Sequence, residues 1–263
     1  MDREICMNGR SQVMQAAAAL TGLMLSAMVA NAAEVKVLTS VALTDALDEL
    51  APVFEQKTGN KLTISYDLAA VQKKRILDGE RADVIILTRV MMDDLAKQNK
   101  LTPDNIVNVT STPVALAVRA GAPKPDISTA EAFKQTLLSA KSISYADPAK
   151  GGLSGVVASR AIERLGIAEQ MKPKTMLVPG AQSPELVAKG EVEFGIAQAS
   201  EIVPNVGAQL VGPLPGELGS VTQFSGGIGT ESASVNASKA LIEFLTGEEA
   251  VSHFKTKGFK SGG

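Results

Sequence analysis

The chain has 263 residues, 45% of them hydrophobic, and a formal net charge of −2. This supplies ample apolar material for a core and no basic face, so nucleic-acid binding is not expected. A single cysteine (Cys6) and a single histidine (His253) exclude a disulfide framework and leave too few ligands for a zinc or copper site, so neither metal nor cofactor is expected.

Residues 1–33 have the form of a secretory signal. The apolar run Ala16–Ala30 leads to small residues at Ala30-Asn31-Ala32, which suit the −3 and −1 positions of signal peptidase. The run is about 15 residues long, short of the about 20 that a bilayer span needs. Asp2 and Glu4 offset Arg3 and Arg10, whereas initiation at Met7 would give a positive start, which makes Met7 a candidate first residue. Cleavage near Ala32/Ala33 would leave a periplasmic protein. Cys6 lies upstream of the cut and cannot carry a lipid anchor.

Strand-like and helix-like segments then alternate. Val35–Thr39 reads as a strand and Ala42–Glu55 as a helix ending at Gly59. Lys61–Tyr66 is a strand, Ala70–Leu77 a helix, Asp83–Leu87 a buried strand and Met91–Gln98 a helix. Pro113–Val118 is a strand. Ser128–Ala140 is a helix with Ser128 as N-cap and Glu131 completing a capping box. Ser142–Tyr145 is a strand, Ser154–Leu165 and Pro184–Lys189 are helices, and Glu193–Ala197 and Val221–Gly226 are strands. Ala237–Leu245 and Glu248–Lys257 close the chain as helices. The alternation implies an α/β fold with mainly parallel sheets, and ligands in such folds sit at the carboxyl ends of strands.

Two of those strand ends carry candidate chemistry. In Asp147-Pro-Ala-Lys-Gly-Gly-Leu-Ser-Gly155 two glycines allow close backbone approach, and Ser154 and Gly155 fall where free helix N–H groups face an anion. The alternative is a plain Gly-rich loop with Ser154 as N-cap. After the first strand, Thr39 or Ser40 offers a hydroxyl beside a helix start, or simply caps it. Catalysis is not expected. Gly152-Leu-Ser-Gly-Val156 lacks the last glycine of a nucleophile elbow, and one histidine gives no triad partner.

Several runs resemble the periplasmic molybdate-binding proteins. They are Val37–Gly59, Ile76–Ile86, Gly190–Ile196 and Leu241–Ala250 with Lys257-Gly-Phe259, in the family's order and across the whole mature chain. The resemblance implies a substrate-binding protein of an ABC importer, acting as a monomer. It would have a two-lobed type II periplasmic binding fold, with lobe 1 at 34–117 plus 224–263 and lobe 2 at 118–223. A small anionic solute would lie between the lobes, which close on it and dock on a membrane permease.

The resemblance also exposes departures. Where molybdate binders carry a serine after the first strand, this chain has Ala42. Where a second serine is expected it has Ala69 or Ala70, and where a tyrosine is expected it has Gln198. Each hydrogen bond to a charged group is worth roughly 1.5–3 kcal/mol, so losing three disfavours molybdate. A larger, organic anion is expected instead, lined by Ser40, Ala42, Ala69, Thr88, Arg89, Ser154, Gly155 and Gln198. Arg89 would grip a carboxylate bidentately, unless it is simply solvated. The alternatives are a molybdate or tungstate binder, a periplasmic solute sensor, or a hydrolase.

Overall fold

A computed structural model describes residues 32–102 and 106–262. The chain before Ala32, with the signal reading and Met7, lies outside the described residues. The first elements are β1 (Glu34–Ser40), α1 (Thr44–Thr58), β2 (Lys61–Asp67), α2 (Ala69–Leu77), β3 (Val84–Thr88), α3 (Arg89–Lys97) and β4 (Val107–Arg119). Next come α4 (Ala130–Ser139), β5 (Ile143–Ala146), α5 (Leu153–Arg164), α6 (Ala168–Met171), β6 (Thr175–Val178), α7 (Ser183–Lys189), β7 (Phe194–Gln198) and α8 (Ala199–Ile202). The chain closes with β8 (Ala208–Pro213), β9 (Val221–Ile228), α9 (Val235–Thr246), α10 (Glu248–Thr256) and β10 (Lys260–Ser261).

The strands form one mixed sheet with two halves. On one side β2, β1 and β3 are parallel, and β9 joins β3 antiparallel. On the other, β6, β5 and β7 are parallel. Strand β4 belongs to both halves. Val107–Pro113 pair with β9, whereas Val114–Val118 pair with β7 and Ala115–Arg119 with β8, all antiparallel. The parallel pairing expected from the alternation therefore holds in the flanks and gives way around β4 and β9, where the chain passes between halves and back. Pro113 stands at the change of partner, a position where a missing N–H is tolerated.

Each half has its own core. Phe54, Val84, Ile86, Phe224, Leu241 and Phe254 pack in the first, and Leu116, Phe133, Leu137, Ile143 and Ile196 in the second. The run Val84–Leu87 is buried on both faces, as a central strand under two helix layers must be. Helix α1 buries the stripe Ala46, Leu47, Leu50 and Phe54, and Gly59 ends it at φ 74°.

Local details differ from the sequence reading. A 3-10 turn, Val41–Leu43, precedes α1, so Ala42 lies in that turn. Thr129, not Ser128, caps α4, because its hydroxyl accepts from Ala132 N–H while Ser128 N–H donates to Asp126. Gly152, not Ser154, is the N-cap of α5, which puts Ser154 inside its first turn. The elements α6, β6, α8, β8 and β10 were not anticipated; they are short, and β6 is an edge strand with Met176 and Leu177 exposed.

Asp83 ties the first half together. Its carboxylate accepts from Lys36 N–H at 2.9 Å, Ser232 Oγ at 2.8 Å, Ala233 N–H at 2.9 Å and Ser234 N–H at 3.1 Å. It thereby joins β1, the start of β3 and the loop into α9. Asp83→Ala strands these donors and is expected to cost about 3 kcal/mol, read as a lower urea midpoint with an unchanged slope. An unchanged midpoint would remove Asp83 from this role.

Candidate functional site

A narrow cavity of about 20 Å³, partly open to solvent, lies where both halves of the sheet present strand carboxyl ends. The first half contributes Ser40, Val41 and Ala42 after β1, and Leu68 and Ala69 after β2. The second contributes Ala146 after β5, Gly152, Leu153 and Ser154 at the start of α5, Gly180 after β6, and Gln198 and Glu201 at the end of β7. This is where ligands sit in open α/β sheets.

Two helices begin at this cavity, α2 at Ala69 and α5 at Leu153, and neither is capped by a side chain. The first intrahelical bonds are Gln72 N–H to Leu68 C=O and Val156 N–H to Gly152 C=O, both 3.0 Å. The N–H groups of Ala69, Ala70 and Val71, and of Leu153, Ser154 and Gly155, therefore have no intrahelical partner. With the positive ends of two helix dipoles, they give the cavity an anion-binding character. No lysine or arginine is among the described residues that line it, so charge compensation falls to the backbone.

The glycines do structural work here. A Cβ on Gly155 would lie 1.7 Å from the Ala146 carbonyl oxygen, and one on Gly152 would lie 2.6 Å from Ala146 Cβ. Their role is thus the close seating of α5 on the end of β5, with only Gly152 also facing the cavity. Gly151 turns the chain at φ 84°, and a Cβ there would meet Ala70 Cβ at 2.9 Å.

Of the residues expected from sequence, Ser40, Ala42, Ala69, Ser154 and Gln198 line this one cavity. Ser40 is 2% exposed, and its Oγ accepts from Ala42 N–H at 3.4 Å, so it caps the 3-10 turn as well. Thr39 donates to Ile86 C=O within the sheet and has no exposed surface. Gly155 contributes its position at the start of α5 and does not line the space. Thr88 and Arg89 are not among the lining residues either. Thr88 Oγ1 caps α3, and the Arg89 guanidinium turns back to Asp93 at 2.9 Å on an exposed helix face.

Gln198 is 1% exposed. Its Nε2 donates to Thr222 Oγ1 at 2.9 Å, while its Oε1 faces the Glu201 N–H in a loose capping box and makes no hydrogen bond of normal geometry. The Thr222 hydroxyl can donate or accept, so the amide can present either its oxygen or its NH₂ to a ligand. Glu201 was missed by the sequence reading. Its Oε2 accepts from Gln198 N–H at 3.0 Å. Burial pushes its carboxyl up to about 7, and the Gln198 N–H bond opposes that shift. It is the only ionisable group among the described lining residues.

The sequence model for the bacterial extracellular solute-binding proteins matches residues 35–260. The chain belongs to this family. An aconitate isomerase from Pseudomonas sp is 33% identical over 230 residues, 85% of this chain and 86% of that protein. The molybdate-binding protein ModA of Escherichia coli strain K12 is 25% identical, over 93% of this chain and 95% of its own. The solved periplasmic molybdate-binding protein of Azotobacter vinelandii superposes with a TM-score of 0.67 at 18% identity, covering 86% of this chain and 98% of that one. The fold is the type II periplasmic binding fold, and this solute-binding protein is a divergent relative of the molybdate binders.

Gly155→Ala should force α5 off the end of β5. We expect a loss of about 3 kcal/mol or more in thermal or urea unfolding. A variant as stable as the parent would contradict the tight seat.

Proposed function

We propose that this protein is exported to the periplasm after cleavage near Ala32/Ala33 and captures a small organic anion bearing carboxylates in the cavity at the start of α5. In this reading the two sheet halves are the lobes, they close on the ligand like a hinge, and a monomer delivers it to an ABC permease. The change of partner in β4 at Pro113–Val114 supports the two-lobe reading.

The observation that carries the ligand class is the lining itself. Ala42, Ala69 and Gln198 lie at one cavity beside two uncapped helix starts, and the resemblance puts hydroxyl donors of the molybdate binders at Ala42, at Ala69 or Ala70, and at Gln198. Fewer hydroxyl donors disfavour a compact dehydrated oxyanion and favour an organic anion. The relative named aconitate isomerase supports a carboxylate. That name, with an ionisable Glu201 in the cavity, also favours a second reading, in which the bound acid is converted.

Thermal-shift measurements with aconitate, citrate, succinate, molybdate, tungstate and sulfate test the proposal. A ligand at 100 times its Kd adds about 2.7 kcal/mol. We expect shifts from carboxylates only, weakening as pH rises through about 7, because Glu201 then ionises beside the anion. A shift from molybdate or tungstate alone would overturn the ligand class.

A further inference from the structure

The geometry points to a proton-transfer function for this cleft: Glu201 shifts a proton along a bound unsaturated polycarboxylate, moving its carbon–carbon double bond by one position. This rests on the organic-anion reading of the cavity. The substrate class is a di- or tricarboxylate whose CH₂ group lies between a double bond and a carboxylate. Aconitate is one such compound.

Three observations meet at Glu201. It lines the same cavity as the free N–H groups of α5, so a carboxylate bound there brings its neighbouring carbons within the same small space. Its Oε2 is held by Gln198 N–H at 3.0 Å, which fixes the carboxyl group, while Oε1 makes no hydrogen bond among the described residues. Among the described residues no cation pairs with it. The nearest elements, β4, β7, β8 and the Val41–Leu43 turn, bring no charged side chain to the cavity, and Lys257, beside the Gly258 turn that packs on Ala199, is paired with Glu49. An ion-paired carboxylate would be a weak base. An unpaired one whose carboxyl titrates near 7 is matched to proton transfer at neutral pH.

The step balances without a co-reactant. The Glu201 carboxylate takes a proton from the CH₂ carbon; that C–H bond breaks, and its electron pair spreads over the adjacent double bond and the substrate carboxylates. The glutamic acid so formed returns the proton to the far carbon of the three-carbon unit, and the double bond now joins the first two. The N–H groups at the starts of α5 and α2 stabilise the charge that develops between these events. A purely structural Glu201, capping the short α8, accounts for Oε2 and leaves Oε1 without a hydrogen bond among the described residues.

The test is proton NMR of the purified protein with cis-aconitate in D₂O. The expected result is deuterium incorporation and appearance of the trans isomer, with kcat rising with pH on an ionisation at or above about 7. Glu201→Gln should lower that rate at least about 100-fold while aconitate still raises the melting temperature. The Gln amide oxygen can still accept from Gln198 N–H, so the turn keeps its contact. Glu201→Asp should recover part of the rate with the same pH dependence. Binding of aconitate without exchange or isomer, or a Glu201→Gln variant as fast as the parent, would overturn the proton-transfer inference and leave the binding reading intact. No thermal shift from any carboxylate would overturn the binding reading and this inference with it.

Discussion

The cavity depends on one close contact, the first turn of α5 against the carbonyl of Ala146. Only glycine at position 155 permits it, since any side chain would begin inside that oxygen's radius. The same device recurs beside it. A Cβ on Gly195 would lie 2.8 Å from Ser183 Oγ, and Ser183, itself buried, donates to Ser144 C=O at 2.9 Å. Helices α5 and α7 thus sit low on the second half of the sheet. That brings the free N–H groups of α5 level with the strand ends, where a bound anion needs them.

The facing wall is set by a buried glutamine. Gln72 Nε2 donates to Thr39 C=O at 3.1 Å and Ser65 C=O at 2.7 Å, and its Oε1 accepts from Arg75. This holds the carboxyl ends of β1 and β2 in register and places the start of α2 at the cavity. Neither wall supplies a formal positive charge. An anion held by backbone dipoles and one titratable carboxyl is sensitive to protonation in a way that a lysine- or arginine-lined site is not.

Much of this was legible in the sequence. The runs around β1, β3 and β7 are strongly apolar and bounded by turn residues, and in an α/β chain their carboxyl ends are where a ligand is expected. Ser40, Ala42, Ala69, Ser154 and Gln198 follow from that rule and from the family pattern. Arg89 and Thr88 sit at an equivalent strand end, yet local bonds claim them: an i,i+4 pair with Asp93 and the cap of α3. Glu201 was illegible for the opposite reason. A lone carboxylate in a four-residue helix carries no spacing signal, and only the packing around β7 shows that it is desolvated. The short strands β6 and β8 escaped because a few residues at an edge give no clear period.

The account turns on where the anion sits. A crystal structure of the protein grown with the carboxylate that stabilises it most would show this directly. The prediction is a ligand carboxylate within hydrogen-bond distance of the Leu153 and Ser154 N–H groups, with its body against Ala42, Ala69 and Gln198 and a carbon facing Glu201. Ligand density elsewhere, or a carboxylate held by Arg89, would contradict it.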